Sequence, residues 1–332
     1  MYKTLIMKKI TTSIRLFVMA GMLMSTLTGW SQAPTQIMGL KTVKNYTTIR
    51  LPEGHPSCKI MHITDAHITI PDATDSLIWD KCGRMHQAYK NTNSHPSKEN
   101  ISRGEAFRML IDIAKTKKVD MVVLGGDIVN FPSPKTVEFV SNVMKESGLP
   151  FVYVAGNHDW HLEGTSGSDN QKRADYIHVL DPLYQGKNPL YNATMVNGIN
   201  VVCIDNSTYQ INREQLDFFK AQVKKGYPMI LSIHIPVCTS LHSDCTMGNP
   251  KWGAAIDTSY ELEGRQRWSA EGNTPETVEF TKLLKETPNI IILTGHVHVN
   301  RVETENNLKQ FVTGLARDGH YRIMEFTDKA LD

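Results

Sequence analysis

The feature that most constrains this chain is a series of short apolar runs, each stopping at residues able to turn the chain or to bind a cation. The runs are CKIMHIT, VDMVVLGG, PFVYVAG, VVCIDN, PMILSIH and NIIILTG. Their brevity, their β-branched content and their lack of polar alternation describe strands buried on both faces. Between them the apolar period changes to that of a helix. Ser102 with Glu105 forms a capping box ahead of Ala106, Phe107, Leu110, Ile111 and Ala114. Leu216, Phe219 and Val223 share one face of a second helix that stops at Gly226. Strands alternating with helices predict an α/β domain. The late runs LKQFVTG and HYRIMEF follow one another without a helical pattern between them, which predicts an antiparallel portion and so a mixed sheet.

Composition is consistent with such a domain: 332 residues, 40% of them hydrophobic, suffice for a substantial core. The first 33 residues read differently. Lys3, Lys8, Lys9 and Arg15 precede the apolar run Leu16 to Leu27, and small and polar residues follow up to Ala33. That order is a secretory signal, and the run is short for a bilayer span, so export to the periplasm or the medium is expected and a stable membrane span is not. An uncleaved anchor is the alternative. Residues 34–332 are then one domain, with no internal repeat and no low-complexity linker. Its 32 basic residues against 34 acidic ones leave a net charge of −2, after four basic and no acidic residues of the leader are set aside from 36 and 34. A surface so close to neutral offers a polyanion little, so nucleic acid is not an expected partner. Cys58, Cys82, Cys203, Cys238 and Cys245 are an odd number and too scattered for a zinc ribbon. Cys203 reads as a core thiol; Cys238 and Cys245 either pair or stay reduced.

The residues at the strand ends carry the chemistry. HITDAH supplies Asp65 and His67, GGDIVN supplies Asp127, GNHDW supplies Asn157 and His158, SIHIP supplies His234, and GHVH supplies His296 and His298. One such Asp is often a helix cap, and one such His a structural residue. Five strand ends with hard oxygen or imidazole donors and no thiolate are instead what a divalent-cation site at the carboxyl edge of a sheet requires. In order and type the blocks resemble the calcineurin-like metallophosphoesterase family, whose pattern is DxH, GDxx(D/N), GNH(D/E), H and GHxH, over residues 65–298. The resemblance implies a four-layer αββα sandwich of two mixed β-sheets flanked by helices. It also implies two divalent or trivalent metal ions, with manganese, iron and zinc all suited to the donors. One metal would take Asp65, His67, Asp127 and His298; the other would take Asp127, Asn157, His234 and His296, with Asp127 bridging. The implied reaction is hydrolysis of a small phosphodiester or phosphomonoester by a metal-activated hydroxide, with His158 stabilising charge or donating a proton to the leaving oxygen.

One position departs from many relatives, which carry Asp three residues after the bridging carboxylate to hold the catalytic imidazole. Here it is Asn130, an orienting residue whose amide can accept a hydrogen bond but supports an imidazolium less than a carboxylate does. Asp159 is expected to orient its loop. His161 and Arg317 are candidate substrate contacts. Residues 68–100 and 237–275 are too polar for core and too long for ordinary connections. The second contains Trp252, Tyr260, Arg265, Arg267 and Trp268 and is read as a possible lid insertion that selects the substrate. A nuclease and a non-catalytic binding scaffold of the same fold are the competing functions, and the oligomeric state is left open.

Overall fold

The computed structural model describes residues 35–70, 72–89, 91–92, 101–239, 260–264 and 272–331. The leader lies outside them, as do Cys245, Trp252, Arg265, Arg267 and Trp268. The strands, in chain order, are β1 (Gly39–Val43), β2 (Tyr46–Arg50), β3 (Cys58–Ile63), β4 (Asn91–Thr92), β5 (Ile101–Ser102), β6 (Met121–Leu124) and β7 (Phe151–Tyr153). They continue with β8 (Tyr191–Val196), β9 (Ile199–Ile204), β10 (Met229–Ser232), β11 (Ile290–Thr294), β12 (Arg301–Glu305), β13 (Leu308–Val312) and β14 (Arg322–Thr327). Two six-stranded sheets result, in the orders β1-β2-β14-β3-β6-β7 and β12-β13-β11-β10-β9-β8. Both are mixed: β3, β6 and β7 run parallel while β14 is antiparallel to β3, and β9, β10, β11 and β13 run parallel between antiparallel edges β8 and β12.

The unbroken apolar runs have a direct explanation in layering. Cys58 and Ile60 of β3, Met121 and Val123 of β6, Val201 and Cys203 of β9, and Ile291 and Leu293 of β11 meet in the core between the sheets. Alternate residues on the same strands face outward under helices. Met61, Ile63, Val122 and Leu124 pack on Phe107, Leu110 and Ile111 of helix Arg103–Thr116 and on Val137 and Val140 of helix Pro134–Ser147. On the other side, Val202, Ile204, Leu231 and Ile292 pack on Leu216 and Phe219 of helix Arg213–Val223 and on Phe280 and Leu284 of helix Pro275–Glu286. With both faces covered, both sets of positions are mostly apolar, with His62 of β3 and Ser232 of β10 among the buried polar exceptions. This is the four-layer αββα arrangement.

Local signals set the helix starts as expected. Ser102 Oγ accepts from Glu105 N at 3.1 Å and Glu105 Oε2 accepts from Ser102 N at 2.9 Å. Asn212 and Gln215 form a second capping box.

Two expectations need correction. The runs LKQFVTG and HYRIMEF do not pair: β13 and β14 belong to different sheets, joined by a turn at Ala316–Asp318. The antiparallel partner of β14 is β3. Ahead of β3, β1 and β2 form a hairpin added to the first sheet, which no apolar run announces. Much of 68–100 is the helix Ser76–Tyr89 rather than a loop. Cys58, Cys203 and Cys238 are free thiols. Among the described residues no helix is long and apolar enough to cross a membrane.

Candidate metal centre

The carboxyl ends of β3, β6, β7, β10 and β11 open on one edge, and the residues just beyond them turn sharply. Asp65, His67, Asp127, His296 and His298 all have positive φ, between 44° and 68°. This left-handed backbone is uncommon away from glycine, and it lets residues two apart converge where an extended strand would carry them past one another. Glycine makes room for the convergence. A Cβ on Gly295 would lie 2.2 Å from Asp65 Oδ2, and one on Gly156 2.2 Å from Asp127 Oδ1.

The side chains meet in three overlapping groups whose ligand atoms lie within 4.8 Å of one another: Asp65, His67 and His298; His67, Asp127 and His158; Asp127, His234 and His296. His298 Nε2 stands 3.4 Å from Asp65 Oδ1 and 3.3 Å from His67 Nε2. Asp127 Oδ2 stands 3.1 Å from His234 Nε2 and 3.9 Å from His67 Nε2, so this one oxygen faces both halves of the cluster. Asp65, His67, Asp127 and His234 are at most 1% exposed. Asn157 opens the short helix Asn157–Trp160, and its Oδ1 is buried with no hydrogen-bond partner among the described residues. A buried amide oxygen left unpaired, in the residue before His158, is a donor suited to a hard or borderline cation, as are the carboxylates and imidazoles of the cluster, so the residues present fit such a group.

Charge in the cluster is finely opposed. Burial alone would raise the Asp127 carboxyl, but His234, His158 and His67 outweigh it and hold the group well below the ordinary carboxylate range. Burial would lower His234, yet Asp127 and Asp65 carry it up to about 10. Burial and the neighbouring histidines keep His67 and His296 well below the usual value. Asp159 is pushed up to about 7 by burial and by the charge of Asp127. Its carboxylate is the hub of the turn, accepting from the backbone nitrogens of Asp127, Val129 and Gly156 at 2.7–2.8 Å.

His158 lies at the edge of the cluster, with its ring 4.6 Å from that of His67 and its backbone N–H donating to Asp127 Oδ1 at 2.8 Å. Asn130 is 1% exposed, and neither of its amide atoms has a hydrogen-bond partner among the described residues. The hydrogen bond to His158 expected of Asn130 is therefore not made in this structure. His161 is half-buried beside Trp160, lowered by burial and by Lys172 and His158. Arg317 is in the turn after β13 and pairs with Asp318 at 3.6 Å.

Other supports were not anticipated from the sequence. Asn206 Oδ1 accepts from the backbone nitrogens of His234 and Ile235, each at 3.0 Å. Tyr209 places its hydroxyl 2.6 Å from His296 Nε2. Arg103 is buried and donates to the His67 carbonyl at 3.2 Å. The polar pair Asp205–Asn206 at the end of β9 was the available signal for the first two, being one more strand end at the same edge. Arg103 had none, because an arginine in a first helical turn looks like surface.

A family model described as calcineurin-like phosphoesterase matches residues 58–300. The chain belongs to the calcineurin-like phosphoesterase family. It is 26% identical over 117 residues to a probable cyclic nucleotide phosphodiesterase of Psychrobacter arcticus, covering 34% of this chain and 34% of that protein. A probable cyclic nucleotide phosphodiesterase of Fibrobacter succinogenes is 27% identical over 127 residues, covering 38% of this chain and 45% of its own length. These matches thus span less than half of either relative. The crystal structure of a dimetal phosphatase from Danio rerio aligns with a TM-score of 0.48 and 11% identity, covering 79% of this chain and 89% of that one. All five motif blocks of the calcineurin-like phosphoesterase family lie within the matched range.

Proposed function

We propose that this protein is an exported, two-metal phosphoesterase that hydrolyses a small phosphodiester. The observation that carries the reading is the placement of Asp127 Oδ2 between His234 and His67, 3.1 and 3.9 Å away, with His158 alongside. Asp65, His67, Asp127 and His298 would hold one cation, and Asp127, Asn157, His234 and His296 the other. Bound cations would supply positive charge to phosphoryl oxygens and acidify a water, as in two-metal hydrolases generally. The remaining work falls to the chain. His158 stands where its ring can reach a leaving oxygen, to protonate it or to stabilise its charge. Its backbone tie to Asp127 Oδ1 and the Asp159 hub hold it there. The curated relatives' names favour a diester of the cyclic-nucleotide kind over a monoester. Export rests on the basic and then apolar order of residues 1–33.

The test is metal analysis of the purified protein, followed by hydrolysis of cyclic nucleotides, bis-nitrophenyl phosphate, nitrophenyl phosphate and duplex DNA at saturating manganese. Two metals per chain and a preference for the diesters are expected. A protein that takes up no metal and cleaves none of these is a binding scaffold, and preferred cleavage of DNA makes it a nuclease; either result overturns the proposal.

A further inference from the structure

The loop that follows β9 supports one half of the cluster twice. Asn206 ties down the turn that carries His234, and three residues later Tyr209 meets the ring of His296. Tyr209 is 4% exposed, with φ of 64°, a conformation that a bulky aromatic residue rarely takes. Its N–H donates to the Asn206 carbonyl at 2.8 Å, closing the turn that aims the phenol at His296. The two rings meet edge to face, 5.5 Å apart at 80°.

The protons of these histidines can be followed. His234 Nδ1 lies 2.9 Å from the Gly125 carbonyl, which only accepts, so Nδ1 carries a proton, and Nε2, 3.1 Å from the Asp127 carboxylate, is the nitrogen left to serve a cation. At His296 the nitrogen next to the hydroxyl is Nε2. A cation held with Asp127 and His234 needs a lone pair on the opposite nitrogen, so Nε2 must keep its proton and donate it. We propose that Tyr209 is a positioning residue for His296: its phenolic oxygen accepts the Nε2 proton, fixing the tautomer whose Nδ1 lone pair serves the His234 half of the site. The effect is confined to one half, since His67 and His298 are held by other elements. This inference rests on the two-metal reading above.

The experiment compares the full chain with Tyr209→Phe. In metal-free protein, long-range nitrogen–proton spectra of the histidine rings should report His296 with its proton on Nε2 alone in the wild type and as a mixture of tautomers in the variant. In manganese titrations the variant should lose about 10- to 100-fold in affinity for one of two ions, while the other stays within about twofold. An unchanged tautomer, unchanged affinities, or equal weakening of both ions with a lower metal-free melting temperature would each overturn the proposal, the last by making Tyr209 simply structural. Because the tautomer is read without metal, it decides the role of Tyr209 even if the wild type takes up no manganese. That outcome would sink the two-metal reading instead.

Discussion

Asp127 is the side chain on which the two halves of the cluster depend, because one of its oxygens faces His67 and His234 together. Asp127→Ala removes a donor from both halves and leaves His234 buried without its nearest anion, whereas His67→Ala removes one donor from one half. The first variant is expected to retain less metal, as measured by elemental analysis after gel filtration; equal content in the two would count against the bridging assignment. His158 has a different task. A proton donor matters most for a poor leaving group, so His158→Ala should slow alkyl phosphoesters by about 10²- to 10⁴-fold and nitrophenyl esters clearly less. Asn130 does not hold the ring in this structure. If the kcat/KM deficits are equal, His158 stabilises charge on the phosphoryl oxygens and is not the acid.

At the scale of elements, the insertion is set apart from the cluster by how its stems are tied. Val237 bridges Leu262, and Cys238 N and Leu262 N donate across the stem at 3.1 and 2.7 Å. Gln310 of β13 clasps Val237 from both sides, and Arg301 of β12 pairs with Glu261. Between these ties, Tyr260 brings its ring to 6.1 Å from His296. Replacing residues 240–259 by a short linker leaves every one of these contacts in place. Metal content should stay at the wild-type level while the ranking of diester substrates changes. Loss of metal or of folding would show that the segment is structural.

For the whole molecule, the inter-sheet core creates a dependence on acid that lies outside the cluster. His62 sits on β3 among buried neighbours with Nδ1 2.9 Å from Thr313 Oγ1, and burial, then the charges of Arg322 and His234, bring it down to about 3. An unfolded chain protonates this residue near its ordinary value of 6.5, whereas the folded chain does so only near 3. The unfolded state therefore binds the extra proton between those values. The contribution is fully present above about pH 6.5 and is lost as pH falls towards 3, reaching roughly 2 kcal/mol of lost stability by pH 5. Urea unfolding at pH 7 and pH 5 should show a smaller difference for His62→Gln than for the wild type. An identical difference would mean that other groups set the acid limb.

What the sequence determined by itself was local. Two-sided burial wrote the strands as unbroken apolar runs, capping boxes marked helix starts, and the donors stood at the strand ends because sharp turns past a sheet edge leave side chains free to converge. Which runs became neighbours was not local. HYRIMEF could have paired with the run before it, yet it crossed to the other sheet beside β3, because both faces of β14 had apolar surface to bury there and no periodicity records a partner. The hairpin at residues 39–50 escaped notice because β1 is an edge strand with half-exposed, polar positions and β2 carries tyrosine, threonine and arginine at its three partly exposed positions, so neither reads as an apolar run. The same distinction divides the site. Asp65, His67, Asp127, Asn157, His234, His296 and His298 are spaced by the turns that carry them, so the sequence displays them. Tyr209, Asn206 and Arg103 act on residues 25 or more positions away or on another element altogether, and Asn130 fails to meet His158. Those pairings exist only where separate strands bring their ends to one edge.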